Sequence, residues 1–142
     1  MYTGFLHTHS GLRWIVLLLM VVVIIKSFIG WFGNKNFTKL DNILSSATVG
    51  LLDLQFLIGL VLYFISPIVQ SALDSGNMMS DDNLRFWGVE HVVTMVIAIA
   101  LAHIGRAKAK KASDSTGKFK FLAIFLSIAL LAVVFAIPWE RV

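Results

Sequence analysis

Four stretches of this chain, 13–32, 43–66, 85–105 and 121–137, stay apolar for about the 20 residues that a helix needs to cross a hydrocarbon core of about 30 Å. In hydrocarbon a segment must satisfy its own backbone polar groups, so each stretch is predicted to be a helix. The fold class expected is all-α, a single four-helix transmembrane domain over 1–142. Composition agrees: the chain is 58% hydrophobic and 14% charged, whereas a soluble domain is about half apolar and about a quarter charged.

The charges between the spans set an orientation. The connections GNKNFTKLDN (33–42) and RAKAKKASDSTGKFK (106–120) hold most of the Lys and Arg. The connection 67–84 carries Asp74, Asp81 and Asp82 and meets no positive charge until Arg85. By the positive-inside rule the two basic connections face the cytoplasm. Both termini and the acidic connection then face the periplasm or exterior. The net charge of +4 is therefore read as a topology and lipid-contact signal, not as a nucleic-acid footprint. The chain has no cysteine, which excludes disulfides, thiolate-held iron–sulfur clusters and covalent haem attachment through C-x-x-C-H. The N-terminus lacks a Lys-rich n-region and a small-x-small cleavage site, so the first helix is expected to remain in the mature protein.

Polar residues inside the spans are few. Lys26 can snorkel to the headgroups, and Trp14 and Trp31 sit where interfacial aromatics sit. Asp53 and Gln55 fall near the middle of the second span, which Pro67 closes. Gln55, Gly59 and Tyr63 recur at i, i+4 and i+8 and form one helical face. The third span opens with LRFWGVEHVVTM (84–95), which takes Arg85, Trp87, Glu90 and His91 into the membrane. Unpaired ionisable groups at that depth cost on the order of 2–3 kcal/mol or more, so they need partners. The fourth span is almost featureless, ends at Pro138 and Trp139, and suits a surface facing lipid or a partner.

Chemistry rests on four histidines. His7 and His9 precede the first span at the outer face, and His91 lies one to two turns into the third span from the same side. His103 is twelve residues further, about 18 Å along a helix at about 1.5 Å per residue, and belongs to the opposite leaflet. His91 and His103 also point about 120° apart at about 100° per residue. This permits one bis-histidine haem b between the first and third helices, with His91 and either His9 or His7 as axial ligands. Arg13 and Arg85 would neutralise the propionates, and Trp14, Phe86 and Trp87 would wall the slot, with Thr94 and Met95 in support. The alternative reading needs no cofactor. Glu90 then pairs with Arg85 or Arg13, and His91 bonds to Asp53 or Gln55 as helix–helix glue. Asp53 is read as a hydrogen-bonded structural group or as a group that moves protons or contacts quinone. Met78 and Met79 make a weak soft-metal site without nearby histidine or cysteine. No nucleophile triad, phosphate loop or zinc signature is present, which argues against a stand-alone enzyme.

The segments HSGLRW (9–14), KSFIGWFGNKNFTKLDN (26–42), LRFWGVEH (84–91), HIGRAK (103–108) and IPW (137–139) resemble a family of small bacterial four-helix membrane proteins often labelled cytochrome-b-like. The resemblance touches all four spans. It implies a multi-pass protein of the bacterial inner membrane, and it carries haem onto His9 and His91, which lie in the matching segments. The expectation is a b-type cytochrome or cytochrome-like subunit with at most one haem near the periplasmic face. It would exchange electrons between quinone and a larger membrane complex or other redox partner. The rival expectation is a cofactor-free accessory subunit of such a complex.

Overall fold

A computed structural model of the chain describes residues 2–76 and 79–137. Met78, and Pro138 and Trp139 expected at the end of the fourth span, lie outside the described residues. Six α-helices follow in order: α1 Tyr2–Phe32, α2 Lys39–Ile65, α3 Pro67–Ser75, α4 Asp82–Arg85, α5 His91–Lys111 and α6 Ser115–Ala136. A single π-helical turn, Phe86–Glu90, joins α4 to α5, so Asp82–Lys111 runs on as one rod. Tyr2–Phe32, Lys39–Ile65, Asp82–Lys111 and Ser115–Ala136 are each long and apolar enough to cross a membrane.

The helices run further than hydropathy indicated, and local chemistry shows why. α1 begins at Tyr2 rather than near Arg13, because no proline interrupts residues 2–13, and it takes His7 and His9 into the rod. α1 stops where Asn34 adopts a left-handed φ of 51°, a conformation asparagine tolerates. α2 starts at Lys39 through a capping box. Thr38 receives the Asp41 amide on its hydroxyl at 3.4 Å, and its own amide donates to Asp41 Oδ2 at 2.9 Å. Lys26 does not simply snorkel, because its ammonium lies 3.3 Å from Asp41 Oδ1. Pro67 ends α2 as expected and then occupies the first turn of α3, so the acidic connection is partly helical.

The basic tract 106–120 is not a loop. Alanine and lysine are good helix formers, and α5 continues through AKAKK to Lys111. Asp114 then caps α6 by accepting from the Gly117 amide at 2.9 Å, which leaves only 112–114 as the connection. Lys118 donates to the carbonyls of Ala109 and Lys110 at 3.1 and 3.4 Å, satisfying the end of α5. One end of the bundle still gathers the lysines and the other Asp74, Asp81 and Asp82.

The main correction concerns the fourth span. α6 is the central packing element, not a free flank: Leu122, Ala123, Leu126, Ala129 and Val133 are buried against α1 and α5. Apolarity could not show this, because lipid and protein interior are equally apolar; small residues decide it. Ala98, Ala102, Ala123 and Ala129 are fully buried. Gly105 lies so close to Phe125, and Gly30 to Phe119, that a Cβ at either glycine would overlap the ring residue. α2 packs along α1 but meets α5 only lightly, and a cavity opens at that seam.

Gly105→Ala is therefore expected to destabilise the bundle by about 1–3 kcal/mol, the usual range for overpacking. Gly11→Ala, where an added Cβ meets nothing within 4 Å, should leave stability unchanged or slightly raise it. Thermal unfolding of both variants in detergent checks this. Equal melting temperatures would contradict the close α5–α6 contact.

Candidate functional site

The cavity occupies about 460 Å³ at the acidic end of the bundle, within the range of small-molecule and cofactor sites. α1 contributes His7, His9 and Arg13 to its wall, and α2 contributes Gln55, Gly59 and Tyr63. Trp87, His91 and Met95 close it from the π turn and α5, with Val133 and Ile137 behind them. The rest of the lining is mainly aliphatic.

The π turn sets the position of His91. Its wider winding lets the His91 amide bond to Phe86 O. The Gly88 carbonyl is turned to accept the Tyr63 hydroxyl at 2.8 Å, which ties the turn to α2. Phe86 and Trp87 hold the His91 ring from two sides, with centroids 5.7 and 5.6 Å away. His91 Nδ1 lies 2.8 Å from the Ala136 carbonyl. A carbonyl only accepts, so Nδ1 bears the proton and Nε2 keeps a free lone pair. A backbone acceptor behind the ring is the usual support of a metal-ligating histidine.

His9 approaches from α1. Gln55 Nε2 donates to the His9 carbonyl at 2.8 Å, and the ring lies over Gly59, where a Cβ would stand 3.2 Å from Cε1. Glycine is what allows this approach. The His9 and His91 rings lie edge to face with centroids 6.4 Å apart and planes at 75°. A metal bound at about 2 Å by one nitrogen of each ring would place the centroids about 6 Å apart. The observed spacing fits that arrangement and equally fits an edge-to-face ring pair, whose centroids lie about 4.5–7 Å apart.

Among the described residues three buried polar atoms, all on residues that line the cavity, have no hydrogen-bond partner: His9 Nδ1, Arg13 Nε and Gln55 Oε1. An unpaired buried polar group costs about 1–3 kcal/mol, so this concentration at one place points to a polar ligand. Arg13 stands one turn after His9 on the same face, and its guanidinium also covers the Trp14 ring at 4.8 Å. The residues present fit a haem b: two neighbouring imidazoles, one backed by a carbonyl, a cation with an unused N–H, and an apolar wall.

The other expected site residues are placed as follows. His7 lines the cavity, and Trp87 lines it beside His91. Arg85 lies outside the lining, held by Asp82 at 2.8 Å, Glu90 at 3.2 Å and the Met79 carbonyl at 3.1 Å. The π turn explains the capture, since it sets a residue five positions on beside its predecessor. Glu90 thus takes Arg85, not Arg13. Trp14 is half exposed and not part of the wall, and Thr94 is likewise outside it. His91 does not bond to Asp53 or Gln55. Asp53 Oδ1 instead lies 2.7 Å from His103 Nε2. Sequence reasoning identified the Gln55–Gly59–Tyr63 face but not its partners. The Ala136 and Gly88 carbonyls carry no side-chain signal.

Among the described residues no group of three or more His, Cys, Asp or Glu side chains could hold a metal ion. Comparison with family models, with curated proteins and with solved structures finds no match for this chain.

Tyr63→Phe removes one hydrogen bond to the π turn and is expected to lower stability by about 0.5–1.5 kcal/mol. Thermal melting measures this, and indole fluorescence should report altered surroundings for Trp87. A variant identical to the parent in both would show that the bond does not hold the turn.

Proposed function

We propose that this chain is a small b-type cytochrome of the bacterial inner membrane, binding one haem between His9 and His91. The observation that supports it best is the pair of imidazoles, ring centroids 6.4 Å apart, that line one largely apolar cavity. His91 would ligate through Nε2, with its Nδ1–H held by Ala136. His9 would ligate from α1, its backbone carbonyl held by Gln55. Arg13 would donate its unused Nε–H to a propionate carboxylate. Trp87 and Met95 exclude water from one side of the slot. The bound group would supply one-electron chemistry at the outer end of the bundle.

Orientation follows from charge. With the lysine-rich end in the cytoplasm, both termini and the cavity face the periplasm. A single haem near one surface does not span the bilayer, so electron exchange needs a partner. That partner would be a quinol in the membrane or a redox protein in a larger complex.

The test is a reduced-minus-oxidised visible spectrum with haem quantitation on protein purified in mild detergent. The expected result is a b-type spectrum at about one haem per chain, lost in His91→Ala and in His9→Ala but kept in His103→Ala. Arg13→Gln should retain haem with weaker binding. A well-folded protein that stays colourless when haem is supplied during expression would overturn the reading and leave a cofactor-free accessory subunit.

A further inference from the structure

The lining of the cavity holds fixed charge of one sign. Arg13 is its one lysine or arginine, and among the described residues that line it there is no Asp or Glu. Carboxylates elsewhere in the bundle are committed: Asp82 and Glu90 hold Arg85, Asp53 lies against His103, and Asp41 holds Lys26. Arg13 belongs to a helix long and apolar enough to cross a membrane, where ionisable groups normally pair. What it has is the face of the Trp14 ring at 4.8 Å, while its buried Nε–H meets no acceptor among the described residues.

These facts restrict the occupant. An aromatic face attracts a cation but gives an in-plane N–H nothing to bond to. Water can accept from Nε, yet it leaves the positive charge unbalanced among aliphatic side chains. An anionic oxygen does both, and the guanidinium fork matches the two oxygens of a carboxylate. A phosphate monoester would bring a second negative charge that no second Lys or Arg in the lining meets. The body attached to that carboxylate is apolar, because Val16, Leu52, Met95, Ile99 and Val133 form the wall around it. The lining on α1 runs from Tyr2 to Val16, about 21 Å at about 1.5 Å per residue. A volume of about 460 Å³ spread over that length is a thin slot. It suits an acyl chain or the edge of a flat ring rather than a bulky headgroup.

We propose that the cavity is a carboxylate-selective site, in which Arg13 binds the free carboxylate of an otherwise apolar, membrane-soluble molecule. A haem propionate and the head of a long-chain fatty acid share this chemistry. The first source rests on the cytochrome reading, and the second does not. A fatty acid needs Arg13 and the apolar wall but has no use for the His91 lone pair.

The experiment measures binding to full-length protein in lipid nanodiscs with two pairs of probes: palmitate and its methyl ester, and haemin and its dimethyl ester. In at least one pair the free acid is expected to bind saturably and at least about tenfold tighter than the ester, since a hydrogen bond between charged groups is worth about that factor. Arg13→Gln should weaken the acid by about tenfold and leave the ester unchanged. Arg13→Lys should restore part of the difference. Comparing acid with ester inside one variant cancels any loss of folded protein. His91→Ala should remove haemin binding and spare palmitate. Arg13-dependent palmitate selectivity in a protein that takes no haemin would end the cytochrome reading and uphold this one. Arg13-dependent haemin selectivity without palmitate binding would uphold it with haem as the source of the carboxylate. Esters as tight as their acids in both pairs would overturn the proposal while leaving haem binding itself standing. An Arg13→Gln loss shared equally by acid and ester, or failure of all four probes to bind, would overturn it too.

Discussion

The close approach of α6 to α1 and α5 is the contact on which the remaining geometry depends. Lipid tails are as apolar as leucine, so helices in a membrane gain little by hiding leucine from lipid; they associate where small residues bring backbones near. Here Gly105 receives Phe125, Gly30 receives Phe119, and four alanines at zero exposure complete the seam. With three helices locked in this way, α2 has no comparable surface against α5. It leans on α1, and the gap that remains at the acidic end is the cavity.

Polar groups follow the same economy of partners. Lys26 finds Asp41, Arg85 finds Asp82 and Glu90, and Arg106 reaches the buried Ser45 hydroxyl at 2.8 Å. His91 and Tyr63 are satisfied by carbonyls, Ala136 and Gly88. Against that background the unpartnered atoms of His9, Arg13 and Gln55 stand together on one cavity rather than scattered. Buried polar atoms without partners are uncommon in folded proteins, and their convergence carries more weight than any one of them.

The π turn connects the packing to the site. It occurs where the Gly88 carbonyl meets the Tyr63 hydroxyl of α2, and it changes the facing of everything after it. Arg85 and Glu90 are brought together on the outside. His91 is left with Trp87 and Phe86 around its ring and its Nε2 lone pair uncommitted. Turns of this kind are frequent at functional sites because the extra residue re-aims a side chain without ending the helix.

The four spans, the charge asymmetry of the two ends and the shared depth of His9 and His91 were legible in the sequence, because length, apolarity and spacing along a helix are one-dimensional properties. The Gln55–Gly59–Tyr63 face was legible for the same reason. Helix ends were less so, since Thr38–Asp41 capping and the Lys118 contacts to the α5 carbonyls depend on local bonds that hydropathy averages away. Azimuth was not legible at all. Which flank of α6 meets protein, whether Asp53 and His103 find each other, and whether Arg85 turns toward the cavity or away all depend on how the rods rotate against one another. Glycine and alanine contacts and one π turn decide those rotations. Tertiary packing alone therefore brought two imidazoles together and left His9 Nδ1, Arg13 Nε and Gln55 Oε1 beside them without partners.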